Sequence, residues 1–378
     1  MAIDLRLDDH QVMLQRSANE LFRKRYPSDV VRAIEAGGLG YSPEGWQELA
    51  GLGWLGICFP ERYGGGGGGF LDLYPIYEEM GRFLVPSPHL DTVAVAGEII
   101  LTTGTEEQRR ALLPEIAQGN CIISPAILEG DGWFGFDAIT CSAEQRGGDF
   151  VVRGTKLLVP YARSADHFLC AVRTADATGA EGISLLLVDA QADGITCEEI
   201  PNIAGHALYA VTFDEVITPA EHLVGTEGRG WAPLSEATLK AAVLQTATIV
   251  GAARAVLDMT NQYAKDRVQF GKPIGSYQAV QYMVSDILLD LHRADLLARH
   301  AAYRISAGMP YGEQAAVAIG FGKQAAAHIV RQAHEVHGGV AYILDHDLTL
   351  YSLRSKYWEN NLGDARYYEK RLAAELGI

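Results

Sequence analysis

Arg267-Val268-Gln269-Phe270-Gly271-Lys272-Pro273-Ile274-Gly275 interrupts the longest helix-like part of this 378-residue sequence. Two glycines and a proline in nine residues stop a helix, because glycine is entropically costly there and proline lacks the amide a helix needs. On either side, apolar residues recur at helical spacing, over 233–266 before the break and over 276–307, 311–338 and 346–374 after it. In the second segment Val280, Val284, Ile287, Leu291, Ala294, Ala298, Ala301 and Ile305 keep an alternating 4,3 step, the seam of nearly antiparallel packed helices. The third repeats this with smaller residues (Ala315, Ile319, Gly322, Ala326, Ile329, Ala333, Val336), so a neighbouring helix can come close. The first is apolar on more than one face, with Leu239, Val243, Val250 and Leu257 beside Ala237, Ala241 and Leu244, which predicts a central place. Residues 229–378 thus read as a C-terminal four-helix bundle.

Upstream, the period changes to two. Ala138–Ala143, Phe150–Arg153, Phe168–Val172, Ile183–Val188 and Ala207–Phe213 are β-rich, and Gly147-Gly148-Asp149 reads as a hairpin turn. Residues 121–228 are therefore expected to form a small, mainly antiparallel β-domain. Residues 1–120 alternate helical patches at 8–25, 42–52, 72–83, 87–103 and 105–119 with glycine and proline punctuation. Ser42-Pro43 and Thr105 supply helix N-caps. The fold class is α+β: a helical N-terminal domain, a central β-domain and a C-terminal four-helix bundle.

The composition, 21% charged and 48% hydrophobic, is that of a globular chain. A formal net charge of -16 repels nucleic-acid backbones and anionic membranes at long range, so neither is an expected partner. The first residues carry charge at once and no stretch reads as a signal core or membrane span, which predicts a cytoplasmic protein. Five cysteines without Cys-x-x-Cys spacing predict buried thiols rather than a disulfide frame or a zinc site.

Two features invite a ligand reading. The run Gly64–Gly69 offers bare amides for an anion, but no Lys-Ser/Thr follows, and a flexible surface turn is the expectation. His334 and His337, one helical turn apart, could share an ion, yet the adjacent acid Glu335 is not in the usual zinc arrangement and no metal site is expected.

The order of domains, with the 267–275 string joining the first two bundle helices, resembles the acyl-CoA dehydrogenase family over nearly the whole chain. Further matches are Gln278-Ala279-Val280, His337-Gly338-Gly339, Pro60-Glu61-Arg62-Tyr63-Gly64-Gly65 and Phe213-Asp214-Glu215-Val216. A pyrophosphate needs a fixed cation and backbone amides, which Arg267 and Gly338-Gly339 can supply. The resemblance implies that Arg267, Gln269 and Phe270 grip the FAD of a neighbouring subunit. Gln278, Glu335, His337, Gly338 and Gly339 would line the same path. It also implies an acyl-CoA substrate, an electron-transfer flavoprotein or similar acceptor, and an oligomer built as a dimer of dimers.

The family reaction takes a proton α to the thioester carbonyl with a carboxylate while a hydride leaves the β carbon. The resemblance puts that carboxylate before a glycine in Tyr357-Trp358-Glu359-Asn360-Asn361-Leu362-Gly363-Asp364, and Leu362 stands there. The other family position, on the first bundle helix, is Ala241. Glu359 and Asp364 are the nearest carboxylates and stand as candidate bases, with a solvated surface role as the plainer reading. The family's Thr-Glu-Pro-type loop is replaced around Ser124–Asp131, where the segment 130–135 with Trp133 and Phe134 reads equally as a reshaped pocket or as a loop packing its own aromatics. Lys156-Leu157-Leu158-Val159-Pro160 lacks the usual aromatic and hydroxyl, and Glu335 replaces a glutamine. Such losses are similar to those of small subunits of pimeloyl-CoA or steroid side-chain dehydrogenases. That resemblance implies a heterotetramer in which a second acyl-CoA dehydrogenase chain supplies the base. A self-sufficient enzyme using Glu359, and a non-redox acyl-binding scaffold without FAD, are the alternatives.

Overall fold

The computed structural model describes residues 4–130, 134–175 and 179–378; Asp131 and Trp133 lie outside them. The chain divides into two compact units, one of Met1–Arg32, Gly69–Val85 and Ala242–Ile378, the other of Ala33–Gly68 and Pro86–Ala241.

Helices α1 (Asp9–Arg25), α2 (Ser28–Ala36), α3 (Pro43–Gly51) and α4 (Phe70–Arg82) open the chain. Ser42 caps α3 by accepting the Gly45 amide at 3.1 Å, as its sequence predicts. The short α2 is an addition to the sequence reading, lying behind Pro27. Residues 87–103 depart from the single expected α-helix. Leu90–Gly97 winds as a π-helix and continues into α5 (Glu98–Thr103). α6 (Glu106–Ala117) carries the predicted Thr105 cap.

The glycine run is not the flexible turn expected of it. The Gly66, Gly67 and Gly68 amides donate to the carbonyls of Gly56, Phe59 and Ile57 at 2.9, 2.9 and 2.8 Å. These amides are consumed within the chain and leave no cradle for a phosphate.

The second unit is built on strands β1 (Ile123–Ala126), β2 (Ser142–Arg146), β3 (Asp149–Pro160), β4 (His167–Arg173), β5 (Ile183–Asp189), β6 (Ile195–Glu199), β7 (Leu208–Thr218) and β8 (Leu223–Val224). Their order is β6-β7-β3-β2-β4-β5-β8, with β1 beside β4. The pairs are antiparallel except at β1–β4 and the one-residue β2–β4 contact. Gly147 and Gly148 form the expected hairpin turn, both at positive φ. Phe168 and Phe213 meet edge to face at 5.9 Å inside the core. The β-run foreseen at 138–143 begins only at Ser142. β1 escaped detection because all four residues are buried and nothing alternates, and β6 because only Ile195 and Cys197 are partly covered. Cys58 and Cys197 are partly exposed rather than buried.

The remaining elements are α7 (Trp231–Asp266), the two-strand ribbon β9 (Val268–Gln269) and β10 (Lys272–Pro273), α8 (Gln278–Ser306), α9 (Gly312–His337), α10 (Asp347–Asn360) and α11 (Ala365–Leu376). By length and composition α7 could cross a membrane, contrary to the sequence reading, but 67% of its most apolar window is buried in the protein, as in a core helix. The fourth bundle segment is two helices. Leu362 and Gly363, at φ +58° and +95°, break it between α10 and α11.

In the first unit α4 crosses α7 through glycines. A Cβ on Gly81 would lie 1.8 Å from the Thr248 carbonyl oxygen, and one on Gly251 would lie 1.6 Å from that of Glu78. Beside this crossing the Glu78 carboxylate, 1% exposed, accepts from Arg254 at 2.5 Å and Arg299 at 3.3 Å. Asp295 accepts from the same two arginines at 2.7 and 2.6 Å, and from the Tyr74 hydroxyl at 2.8 Å. Burial pushes Glu78 up from the usual carboxylate range despite the Arg254 guanidinium. The cluster ties α4, α7 and α8 together, because an unpaired charge at this depth is strongly destabilising.

Candidate active site and cofactor arm

The 267–275 string folds as a hairpin. Gln269 pairs with Lys272, and the two turn residues Phe270 and Gly271 both have positive φ, as a two-residue hairpin of this twist requires. Phe270 therefore sits at the tip with a backbone geometry that glycine prefers and with 94% of its surface exposed. Tyr277 braces the hairpin, its hydroxyl donating to the Gln269 carbonyl at 3.1 Å and its ring lying under Lys272 Nζ at 4.3 Å. The Gln269 amide donates to Val268 O at 2.8 Å, and Gln278, at the start of α8, donates to the Tyr282 hydroxyl at 2.7 Å.

Arg267 is exposed, and among the described residues no acid lies within ion-pair distance of its guanidinium. One turn earlier on α7, Tyr263 stacks on His337, with centroids 4.3 Å apart and planes 19° from parallel. The end of α7 and the end of α9 thus meet at Tyr263 and His337. His337 is 4% exposed, yet neither ring nitrogen has a hydrogen-bond partner. Burial, then His346 and His334, push it down to about 4, so it is neutral at pH 7 with one donor and one acceptor unspent. Gly338 follows at φ +64°, ψ -149°, a region reserved for glycine, and a Cβ on Gly338 or Gly339 would meet nothing within 4 Å. Glu335 is exposed, and among the described residues no cation lies within ion-pair distance of it. His334 Nε2 bonds Ser352 Oγ at 2.5 Å.

A free guanidinium, an imidazole with two orphaned buried nitrogens and open glycine backbone fit a dinucleotide carrying phosphate and a hydrogen-bonding ring. FAD would supply a hydride acceptor there.

Each of the two candidate bases has a partner within its own segment. The backbone around Leu362 is a turn, so Glu359 and Leu362 do not share a helical face. Glu359 pairs with Lys356 at 2.8 Å at the surface. Asp364 caps α11, its Oδ1 accepting the Tyr367 amide at 2.8 Å. Leu362 is 8% exposed and Ala241 fully buried. No carboxylate occupies either expected base position.

In the second unit, Glu129 lies in the loop that follows β1. Its carboxylate accepts from the Thr140 amide at 2.9 Å and hydroxyl at 2.5 Å, from the Cys141 amide at 3.1 Å, and from Lys156 Nζ at 2.5 Å. Burial raises this carboxyl, but the Lys156 ammonium and Thr140 outweigh it and hold the group below the usual range. Ser124, in β1, is 1% exposed with no partner for its hydroxyl.

Three site residues were missed in the sequence: Tyr263, Tyr368 and Lys323. Lys323 left a signal. It sits in the small-residue stripe of α9, four residues after Ile319 and three before Ala326, and a lysine on a buried face calls for partners.

Comparison with known proteins agrees with this architecture. The profiles described as acyl-CoA dehydrogenase N-terminal, middle and C-terminal domain match residues 8–120, 135–216 and 228–367. Acyl-CoA dehydrogenase FadE12 of Mycobacterium tuberculosis is 31% identical over 312 residues, covering 79% of each chain. Among solved structures, the Tcur3481–Tcur3483 steroid ACAD is 30% identical with a TM-score of 0.86, covering 98% of each chain. The ChsE4–ChsE5 complex from Mycobacterium tuberculosis is 25% identical with a TM-score of 0.90, covering 99% of each. The chain belongs to the acyl-CoA dehydrogenase family. That family's chemistry is flavin-dependent dehydrogenation of the CH–CH bond of an acyl-CoA, and its members typically bind FAD.

Proposed function

We propose that this chain is one subunit of a heteromeric acyl-CoA dehydrogenase. It lends its cofactor arm to FAD while a second acyl-CoA dehydrogenase chain supplies the base that removes the α proton. The observation that carries this reading is the pairing of Leu362 and Ala241 at the two base positions, with Glu359 held by Lys356 and Asp364 spent as a cap.

The arm supports it from the other side. Phe270 is presented bare at a hairpin tip, which is costly for a lone protein and natural for a group inserted into another chain. Tyr282, Leu289 and Leu296, seven residues apart on α8, are also more than half or half exposed, an apolar stripe suited to a helical partner. Both structural relatives are named as two-component proteins, which agrees with the same reading. An electron-transfer flavoprotein or similar carrier would take the electrons.

The test is co-purification. The chain is expressed alone and with the product of its neighbouring gene, and the mass and flavin absorbance of each product are measured. The reading expects a mixed oligomer with its full flavin complement in the second case, and less flavin as isolated and no turnover from the lone chain even after FAD is added back. A stable homo-oligomer with stoichiometric FAD and turnover from the lone chain would overturn it. A flavin-free mixed product would favour a scaffold role.

A further inference from the structure

Helix α10 ends against a buried lysine. Lys323 Nζ, on α9, donates to the carbonyl oxygens of Trp358 and Asn361 at 2.7 Å each and reaches Gln245 Oε1 on α7 at 3.4 Å. The residue is 2% exposed, burial pushes it down to about 7 so that charged and neutral amine are both populated at neutral pH, and the Tyr368 ring lies 5.9 Å from Nζ. The last carbonyls of a helix have no partner within it and carry the negative end of its dipole, so an amine there stabilises them by hydrogen bonding, and by charge as well when it is protonated.

The next carbonyl is held as well. The Tyr368 hydroxyl, on α11, donates to Leu362 O at 2.6 Å. Between the two clamps the chain makes a reversal that its residues resist. Leu362 has φ +58°, a region disfavoured for a residue with a side chain. A Cβ on Gly363 would lie 2.7 Å from the Tyr367 ring. Conformations of this kind persist where the surroundings over-determine them. Here the surroundings are Lys323, Tyr368 and the Asp364 cap.

We propose that Lys323 is a positioning residue. It fixes the C-terminal carbonyls of α10, with Tyr368 fixing Leu362 O, so that the 361–363 turn presents residue 362 in one direction. The lysine spends its donors on this one joint, which explains why an amine is retained among the alanines and glycines of α9. The arrangement is independent of which chain supplies the base.

Lys323→Met and Tyr368→Phe are compared with the parent, each purified with its flavin and any partner it holds. Amide hydrogen exchange and flavin bleaching by acyl-CoA are recorded. In Lys323→Met, exchange at 359–364 is expected to rise at least tenfold while α8 keeps parental protection. The bleaching rate is expected to fall about tenfold at an acyl-CoA half-saturation within twofold of the parent. Tyr368→Phe keeps its ring and folds even if the lysine variant does not, and it should show the same local pattern at smaller amplitude. Parental exchange at 359–364 in the phenylalanine variant, or a rise spread evenly over α8–α11 in either, overturns the proposal. A parent that never bleaches even when co-purified with its partner chain counts against the proposed function and leaves the exchange result to decide this one.

Discussion

The imidazole of His337 lies flat on the ring of Tyr263, 4.3 Å between centroids, and both imidazole nitrogens are buried without partners. A buried polar atom without a partner costs about 1–3 kcal/mol. Two on one ring, beside an unpaired Arg267 and open glycine backbone, mark a surface shaped for a bound group.

It follows that His337→Phe should keep the stack, leave the melting temperature at or above that of the parent, and weaken FAD binding about tenfold. Arg267→Ala should weaken it tenfold to a hundredfold, the range of one charge-assisted contact. Flavin titration followed by absorbance or calorimetry measures both. Parental affinity in both variants would remove the arm from the cofactor's path.

Gly251 sets the approach of α7 to α4. Its missing Cβ would stand 1.6 Å from the Glu78 carbonyl oxygen, so Gly251→Ala must push the helices apart and loosen the Glu78–Arg254 pair. We expect a loss of about 3 kcal/mol or more, well beyond an ordinary helix substitution, read from urea denaturation. A loss under about 1 kcal/mol would show that the crossing adapts freely.

Stability should fall on mild acidification. His89, 1% exposed, bonds the Trp54 carbonyl through Nε2 at 3.2 Å, and burial pushes it down to about 4 from an ordinary 6.5. The unfolded chain therefore binds a proton that the folded chain refuses between these values. This stabilisation is complete above pH 6.5 and is lost as pH falls through about 4, a difference of about 3 kcal/mol for this one group. His89→Gln should show a pH slope shallower by that amount between pH 7 and 4. Parallel stability curves for parent and variant would contradict the assignment.

What the sequence revealed and what it concealed divide by range. The α8 seam was legible because Ile287, Leu291, Ala294, Ala298 and Ala301 repeat locally, and all are buried. The 267–275 break was legible because its glycines and proline act on their own backbone. The Arg254–Glu78 pair joins residues 176 apart, and Lys323 meets its carbonyl partners 35 and 38 residues away, so neither leaves a periodic trace. The turn at Leu362 was hidden for a related reason. Leucine favours helix locally, and tertiary hydrogen bonds from Lys323 and Tyr368 override that preference.

The central claim is that this chain has an intact cofactor arm and no base of its own. Anaerobic mixing of the FAD-loaded lone chain with an acyl-CoA, followed by flavin absorbance, tests it most directly for the parent, Glu359→Gln and Leu362→Glu. The account predicts no bleaching in the first two and measurable bleaching in Leu362→Glu, where a carboxylate returns to the turn. Bleaching by the parent that Glu359→Gln abolishes would contradict it.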